Sequence, residues 1–224
     1  KTGTLADADL FRFEATPGQR WVIETMAARR GSPADTKIEV LHADGRPVER
    51  VWLQAVRNSS VTFRAIDSVN ADVRLVNWEE MELNQFLYFG GEVVRLFRAP
   101  RGPDAGFQLY NRSGRLSYFD TSPVAHPNDE VAYIVEPHPP GVNLLPNGLP
   151  VFKLTYANDD DGERKLGTDS RLTFSPPTPG SYLVRVTESK GFSGDRYAYR
   201  LIVRAAKPDF TPTLTGANQT IPRG

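Results

Sequence analysis

Cysteine is absent from the 224 residues of this chain. Disulfide stapling, zinc–thiolate sites and cysteine nucleophiles are excluded with it, whereas export from the cell is not. Net charge is missing as well, because 27 Lys plus Arg balance 27 Asp plus Glu. A nucleic-acid partner calls for a basic surplus or a basic face, and a polybasic membrane contact calls for the same, so neither is expected. Long apolar runs are lacking too. None approaches the roughly 20 residues of a membrane helix, which argues against membrane insertion, and the start is no signal peptide. Histidine is scarce: His42 follows a strand pattern just before a turn, while His126 and His138 each precede a proline. Neither a Gly-x-Ser-x-Gly elbow nor a His-Glu-x-x-His pair occurs, so nothing marks an enzyme. A hydrolase built on a carboxylate pair is the third-ranked reading, since such a pair is defined by separation in space and not by spacing in sequence.

What is present is turn chemistry. Eighteen prolines and eighteen glycines fall between short apolar runs, as in an all-β chain. Alternation predicts strands at Leu10 to Glu14, Trp21 to Glu24, Thr36 to Leu41 and Val51 to Val56. Further on, Val61 to Arg64, Val73 to Val76, Phe107 to Tyr110, Leu116 to Phe119 and Val131 to Val135 are read as short strands. Phe86 to Phe89 and Glu92 to Phe97, joined by Gly90-Gly91, carry the strongest hairpin signal, because two glycines supply the positive φ of a tight turn. Val151 to Tyr156, Arg171 to Phe174, Ser181 to Thr187 and Tyr197 to Arg204 complete the strand set. No 3.6-residue period extends beyond about two turns, and Trp78 to Leu83 is read as one helical turn. Lys1-Thr2-Gly3 and Pro222-Arg223-Gly224 read as the ends of a piece cut from something longer.

The densest chemistry is Asn158-Asp159-Asp160-Asp161-Gly162 followed by Gly167-Thr168-Asp169-Ser170, an acidic loop between two alternating segments. Its charge needs something positive inside it or a set of backbone N–H groups around it. Asp7 and Asp9 form a second acidic pair, read mainly as blunting an edge strand. Arg98, Arg101, Arg112 and Arg115 gather around turns and would suit an acidic glycan, although a solvated surface is the plainer reading.

Several of these stretches together resemble a bacterial pre-peptidase C-terminal domain. They are Asp7-Ala8-Asp9-Leu10-Phe11-Arg12-Phe13, Gly18-Gln19-Arg20-Trp21 and Ser32-Pro33-Ala34-Asp35-Thr36 in the first part of the chain. In the last part they are Asn158 to Asp161, Asp169-Ser170, Pro179-Gly180-Ser181-Tyr182 and Tyr197-Ala198-Tyr199-Arg200-Leu201. The resemblance covers roughly residues 5–56 and 151–205. It implies an antiparallel, jelly-roll-like β-sandwich from residues 1–56 plus 151–206, interrupted by a β-rich insertion at 57–150, with 207–224 a linker or the start of another domain. The insertion is similar to extended versions in large secreted bacterial proteins. The family implies a non-catalytic accessory module, secreted or on the cell surface, some relatives of which bind calcium.

Calcium takes six to eight oxygen ligands in an adaptable geometry. Asp159, Asp160, Asp161 and Asp169 are the candidate ligands, with Asp35 reaching in from a neighbouring connection. The plain alternative is a solvated turn whose Asp side chains cap backbone N–H groups. In the insertion, Trp78, Tyr88, Tyr110 and Tyr118, with Arg115, are the candidate ligand-binding residues. Adjacent aromatics on a strand point to opposite faces, so one of each pair packs under another element or stays exposed for a sugar ring or a peptide. The function expected is presentation of a surface for a polysaccharide or an extracellular protein. The alternative is a calcium-rigidified spacer in contact with neighbouring domains of the same chain.

Overall fold

The computed structural model describes residues 8–102, 104–112 and 114–207. Asp7 and the expected linker beyond Lys207 lie outside the described residues. The chain is all-β and antiparallel. Two single-turn 3-10 helices, Ala28–Arg30 and Trp78–Glu80, are the helical elements among the described residues, the second within the turn expected at Trp78.

One part is a β-sandwich. Strands β1 (Ala8–Ala15), β2 (Trp21–Met26) and β3 (Thr36–His42) come from the start of the chain. After seven intervening strands come β11 (Ala157–Asn158), β12 (Arg171–Phe174), β13 (Gly180–Glu188) and β14 (Arg200–Ala205). One sheet runs β1-β13-β3-β11 and the other β12-β2-β14. Alternation drives the layering. Ile38 and Val40 of β3, Val184 and Val186 of β13, Ile23 of β2 and Leu172 and Phe174 of β12 all point inward and are buried. Phe174 meets Tyr156 edge-on at 5.0 Å and Tyr182 at 4.9 Å. The Tyr182 hydroxyl donates to the Thr178 carbonyl at 2.7 Å, so its burial leaves no orphan donor.

The second part is a seven-stranded sheet built on β4 (Glu49–Ser60) and β10 (Val151–Thr155). Between them lie β5 (Asp72–Val73), β6 (Phe86–Phe89), β7 (Glu92–Arg98), β8 (Phe107–Leu109) and β9 (Val131–His138). The order is β10-β4-β9-β6-β7-β8-β5. The expected insertion at 57–150 therefore starts within β4 and ends just before the edge strand β10, and β4 and β10 pair with each other. A register shift between Ala55 and Arg57 leaves Val56 as an extra, exposed residue and bends β4 along its length.

The Gly90-Gly91 hairpin forms as read, with φ of 56° and 88° at the two glycines joining β6 and β7. Leu116 to Phe119, expected as a strand, is not one. The N–H groups of Leu116, Ser117 and Tyr118 donate to carbonyls of Tyr110, Gly162 and Val93, three different segments. Phe119 and Asp120 both have positive φ, which no strand tolerates.

The sheet has two unlike faces. Leu87 and Phe89 of β6, Val94 and Leu96 of β7 and Ile134 of β9 bury one face under the loop carrying Val61, Leu75 and Met81. The other face holds the small aliphatics Ala55, Val93 and Val135, covered by partly buried aromatic rings.

Candidate functional site

The acidic loop follows β11 and is folded chiefly by groups of the chain itself. Asp169 is fully buried. Its Oδ1 accepts from the N–H of Ala27 at 2.7 Å and of Ala28 at 2.8 Å, and its Oδ2 accepts from Arg29 Nε at 2.7 Å. Burial works to raise its pKa, but the Arg29 guanidinium and the three backbone N–H groups outweigh it and hold the carboxyl below its ordinary range. Asp169 is thus consumed in tying the loop to the first 3-10 turn. Asp161 is also buried, and it closes its own turn by accepting from the N–H of Glu163 at 3.3 Å and of Lys165 at 3.0 Å. Asp159 accepts from Ser189 Oγ. Asp35 pairs with Lys190 Nζ at 3.0 Å.

Asp160 stands apart. Its Oδ1 is buried without a hydrogen-bond partner among the described residues. Burial, together with Asp159 and Asp35 nearby, pushes its pKa up to about 6. Of the five expected metal ligands, Asp35, Asp159 and Asp160 therefore share one electrostatic neighbourhood, while Asp161 and Asp169 face backbone donors elsewhere. Among the described residues no three His, Asp or Glu side chains are gathered into a group able to hold a metal ion.

The loop also has a mechanical task. Its backbone N–H groups at Asp159 and Asp160 both donate to Ser122 Oγ, at 2.9 and 3.0 Å. Asn158 Nδ2 donates to the Asp120 carbonyl at 2.6 Å, and Arg164 donates to the Ser68 carbonyl. Asp120 in turn accepts from Arg50 and, at 3.1 Å, from the N–H of Thr173. A Cβ on Gly162 would stand 2.9 Å from the Ser117 carbonyl, so the close approach there requires glycine. The acidic loop is a latch between the sandwich and the seven-stranded sheet.

The aromatic face lies on the side of that sheet opposite the Leu87 and Phe89 core. Cross-strand register sets Tyr88 opposite Tyr133 and Phe86 opposite Val135 and Arg95. Phe152 of β10 packs at a tilt against Tyr88 at 4.2 Å and against Tyr133 at 5.2 Å. Tyr118 and Phe119 meet Phe86 at 5.3 and 5.2 Å. Tyr110 lies 4.7 Å from the exposed Phe97, with the Arg95 guanidinium 5.6 Å from its ring and 5.4 Å from that of Phe86. The result is a string of half-exposed rings crossing β10, β9, β6 and β7. Burial raises the pKa of both Tyr88 and Tyr118, as expected for phenols laid against aliphatic neighbours.

Three of the expected ligand residues, Tyr88, Tyr110 and Tyr118, thus belong to one strip. Trp78 does not, since it packs against the core on the opposite face. Arg115, placed by the sequence among surface arginines, is 1% exposed. Its Nε and Nη2 donate to the two oxygens of Glu92 at 2.8 and 2.7 Å. His126 lies between Glu92 at 3.0 Å and Glu130 at 2.6 Å, with Phe89 stacked on its ring at 3.5 Å. Ser117 Oγ adds a third donor to Glu92 at 2.6 Å and the N–H of Val124 a fourth at 3.1 Å. The reason Arg115 is unavailable to a ligand is this network: a buried guanidinium must spend its donors on a buried carboxylate. Sequence reading missed Phe86, Tyr133, Phe152 and Arg95. The available signal was the i, i+2 alternation of Phe86 and Tyr88, which puts both rings on one face.

Fold and site together define an all-β, antiparallel sandwich protein carrying an aromatic sheet face. No family model matches the chain, and neither a curated protein nor a solved structure does. No helix among the described residues is long and apolar enough to cross a membrane.

Proposed function

We propose that the chain is a non-catalytic accessory module of the pre-peptidase C-terminal type, in a secreted or cell-surface bacterial protein, that binds a polysaccharide along its aromatic face. One observation carries this reading. The Phe152–Tyr88–Tyr133 cluster and the Phe86–Tyr118 contact lie on the same sheet face, packed with Val93 and Val135 and left partly exposed. Flat rings of that kind offer a large apolar contact with little rotamer entropy to lose, which suits the faces of sugar rings.

Affinity electrophoresis in gels holding single polysaccharides tests the proposal. Retardation should appear with at least one of them, disappear in Tyr88→Ala with Phe152→Ala, and survive Trp78→Phe on the opposite face. Equal mobility in every gel would end the binding reading and leave the spacer, which the Arg50–Asp120 pair and the Ser122 contacts of the latch favour.

Calcium keeps a place in the proposal only beside Asp160, where an oxygen without a partner among the described residues feels the charges of Asp159 and Asp35. The side chains are not closed around a cation there, and Lys190 already neutralises Asp35. Weak binding is the expectation. Calorimetric titration of chelator-treated protein checks it, and an absence of both heat and a melting shift removes calcium from the account.

A further inference from the structure

The strip is not electrically uniform. At its β7 end two guanidinium groups lie over aromatic rings: Arg95 over Phe86 and Tyr110, and Arg98 at 5.7 Å from Phe97. The chain as a whole is neutral. Several other part-buried arginines are matched to carboxylates, Arg29 to Asp169, Arg50 to Asp120 and Arg185 to Glu39, whereas Arg74 lies over Phe63 without one. Arg95 and Arg98 have no carboxylate partner among the described residues. Arg95 is nonetheless fixed, because its Nε donates to the Asn84 carbonyl at 2.9 Å and the rings hold its plane. The Tyr118 hydroxyl is a further hydrogen-bond partner of this guanidinium, which is thus met by a phenol and a carbonyl but by no anion among the described residues. A weakly hydrated, planar fork held in place beside an apolar track is suited to a carboxylate or a sulfate arriving on a larger ligand.

We propose that the polysaccharide bound by this face is anionic, with its acidic groups held by Arg95 and Arg98 while its rings lie on Phe86, Tyr88 and Phe152. This inference rests on the glycan-binding reading above and adds the charge of the ligand. The neutral sugar face would supply contact area and the arginine pair would fix orientation and register. An acidic peptide or a nucleic acid would also meet the arginines. Neither would need the aromatic track as far as Phe152, on β10, which three strands separate from β7.

The experiment compares dextran, dextran sulfate, polygalacturonate and polyglutamate on the whole 224-residue chain by calorimetry at two salt concentrations. Wild-type protein should bind dextran sulfate or polygalacturonate at least about tenfold more tightly than dextran, and high salt should weaken it. Arg95→Gln should lower that affinity by about tenfold and flatten the salt dependence, the size of one charge-assisted contact. Phe152→Ala should weaken it without altering the salt dependence. Equal affinity for dextran and dextran sulfate, or an Arg95→Gln variant that binds as wild type, overturns the anionic assignment while leaving glycan binding in place. Polyglutamate bound as tightly as the acidic polysaccharides overturns the glycan identity. Binding to no probe at all, with unchanged melting, defeats the parent reading as well.

Discussion

Two carboxylate clusters in this molecule are built in opposite ways. The aspartates of the 158–170 loop are neighbours in sequence but scatter once folded. Asp161 turns to the N–H groups of its own loop, Asp169 to Ala27 and Arg29, and Asp159 to Ser189. Glu92, Arg115, His126 and Glu130 are far apart in sequence yet converge into one network in which the Glu92, Arg115 and His126 side chains have no exposure. The contrast shows what each arrangement costs. Charge crowded into a loop can be relieved locally by backbone donors. A buried ion pair stands only if every partner is in place, because each ion has lost its water.

Removing Glu92 should therefore have the largest effect. Glu92→Ala leaves Arg115 buried without a counter-charge and should cost about 3–5 kcal/mol, read from urea unfolding. Replacing Glu92 and Arg115 together by Met should restore most of that loss, since the desolvation cost goes with the charges. If Glu92→Ala costs less than about 1 kcal/mol, the network is not what holds the seven-stranded sheet.

The pH dependence has a fixed sign. Burial works to raise the Glu92 pKa, but hydrogen bonds from His126, Arg115 and Ser117 and the Arg115 charge hold it below the ordinary 4.5. Its stabilisation is therefore complete above the unfolded value of 4.5 and is lost as pH falls through the lower folded one. Unfolding in acid, followed by tryptophan fluorescence, should steepen below pH 4.5 in wild type and flatten there in the double Met variant.

Asp169→Ala comes second, at about 2–3 kcal/mol, because it orphans the N–H groups of Ala27 and Ala28 and releases Arg29. Asp159→Ala, which loses one contact to an exposed Ser189, should stay within about 0.5 kcal/mol. Equal losses in the two variants would erase the distinction between a tied and a merely neighbouring aspartate.

How much of this the sequence disclosed follows from the range of the interactions involved. The β6–β7 hairpin was legible because Gly90-Gly91 carries its own turn geometry. The span of β12 was legible because alternation alone defines Arg171 to Phe174. The sheet that β4 and β10 join was not, since both alternate like their neighbours and only long-range pairing assigns them. Arg115 sits between Gly114 and Leu116 and looks like a surface residue. Its burial is dictated by Glu92 and His126, which no local pattern connects to it. The aromatic strip was half legible: Tyr88, Tyr110 and Tyr118 announce themselves, but Tyr133 and Phe152 join them only through cross-strand register. The acidic loop was the reverse, conspicuous by composition but open from sequence between a cation site and Asp side chains capping backbone N–H groups, because the N–H groups that meet Asp169 come from residues 27 to 29, far away in the chain.

An effect that runs opposite to the others belongs to Asp160. Its carboxyl is the one in the loop that folding disfavours in the charged form, with a pKa raised by burial and by Asp159 and Asp35 from 3.8 to about 6. For an acid whose folded pKa is raised, ionisation destabilises the native state. The penalty is absent below 3.8, grows as pH rises to about 6, and is constant above that. Asp160→Asn should thus stabilise the protein above pH 6 by about 1 kcal/mol, after allowing for solvent screening of a half-exposed site. At pH 3.5 it should change nothing. Melting curves of the two proteins at both pH values decide the point. A variant that is less stable at neutral pH in chelator would mean that the Asp160 charge is compensated by a partner and that the latch depends on it.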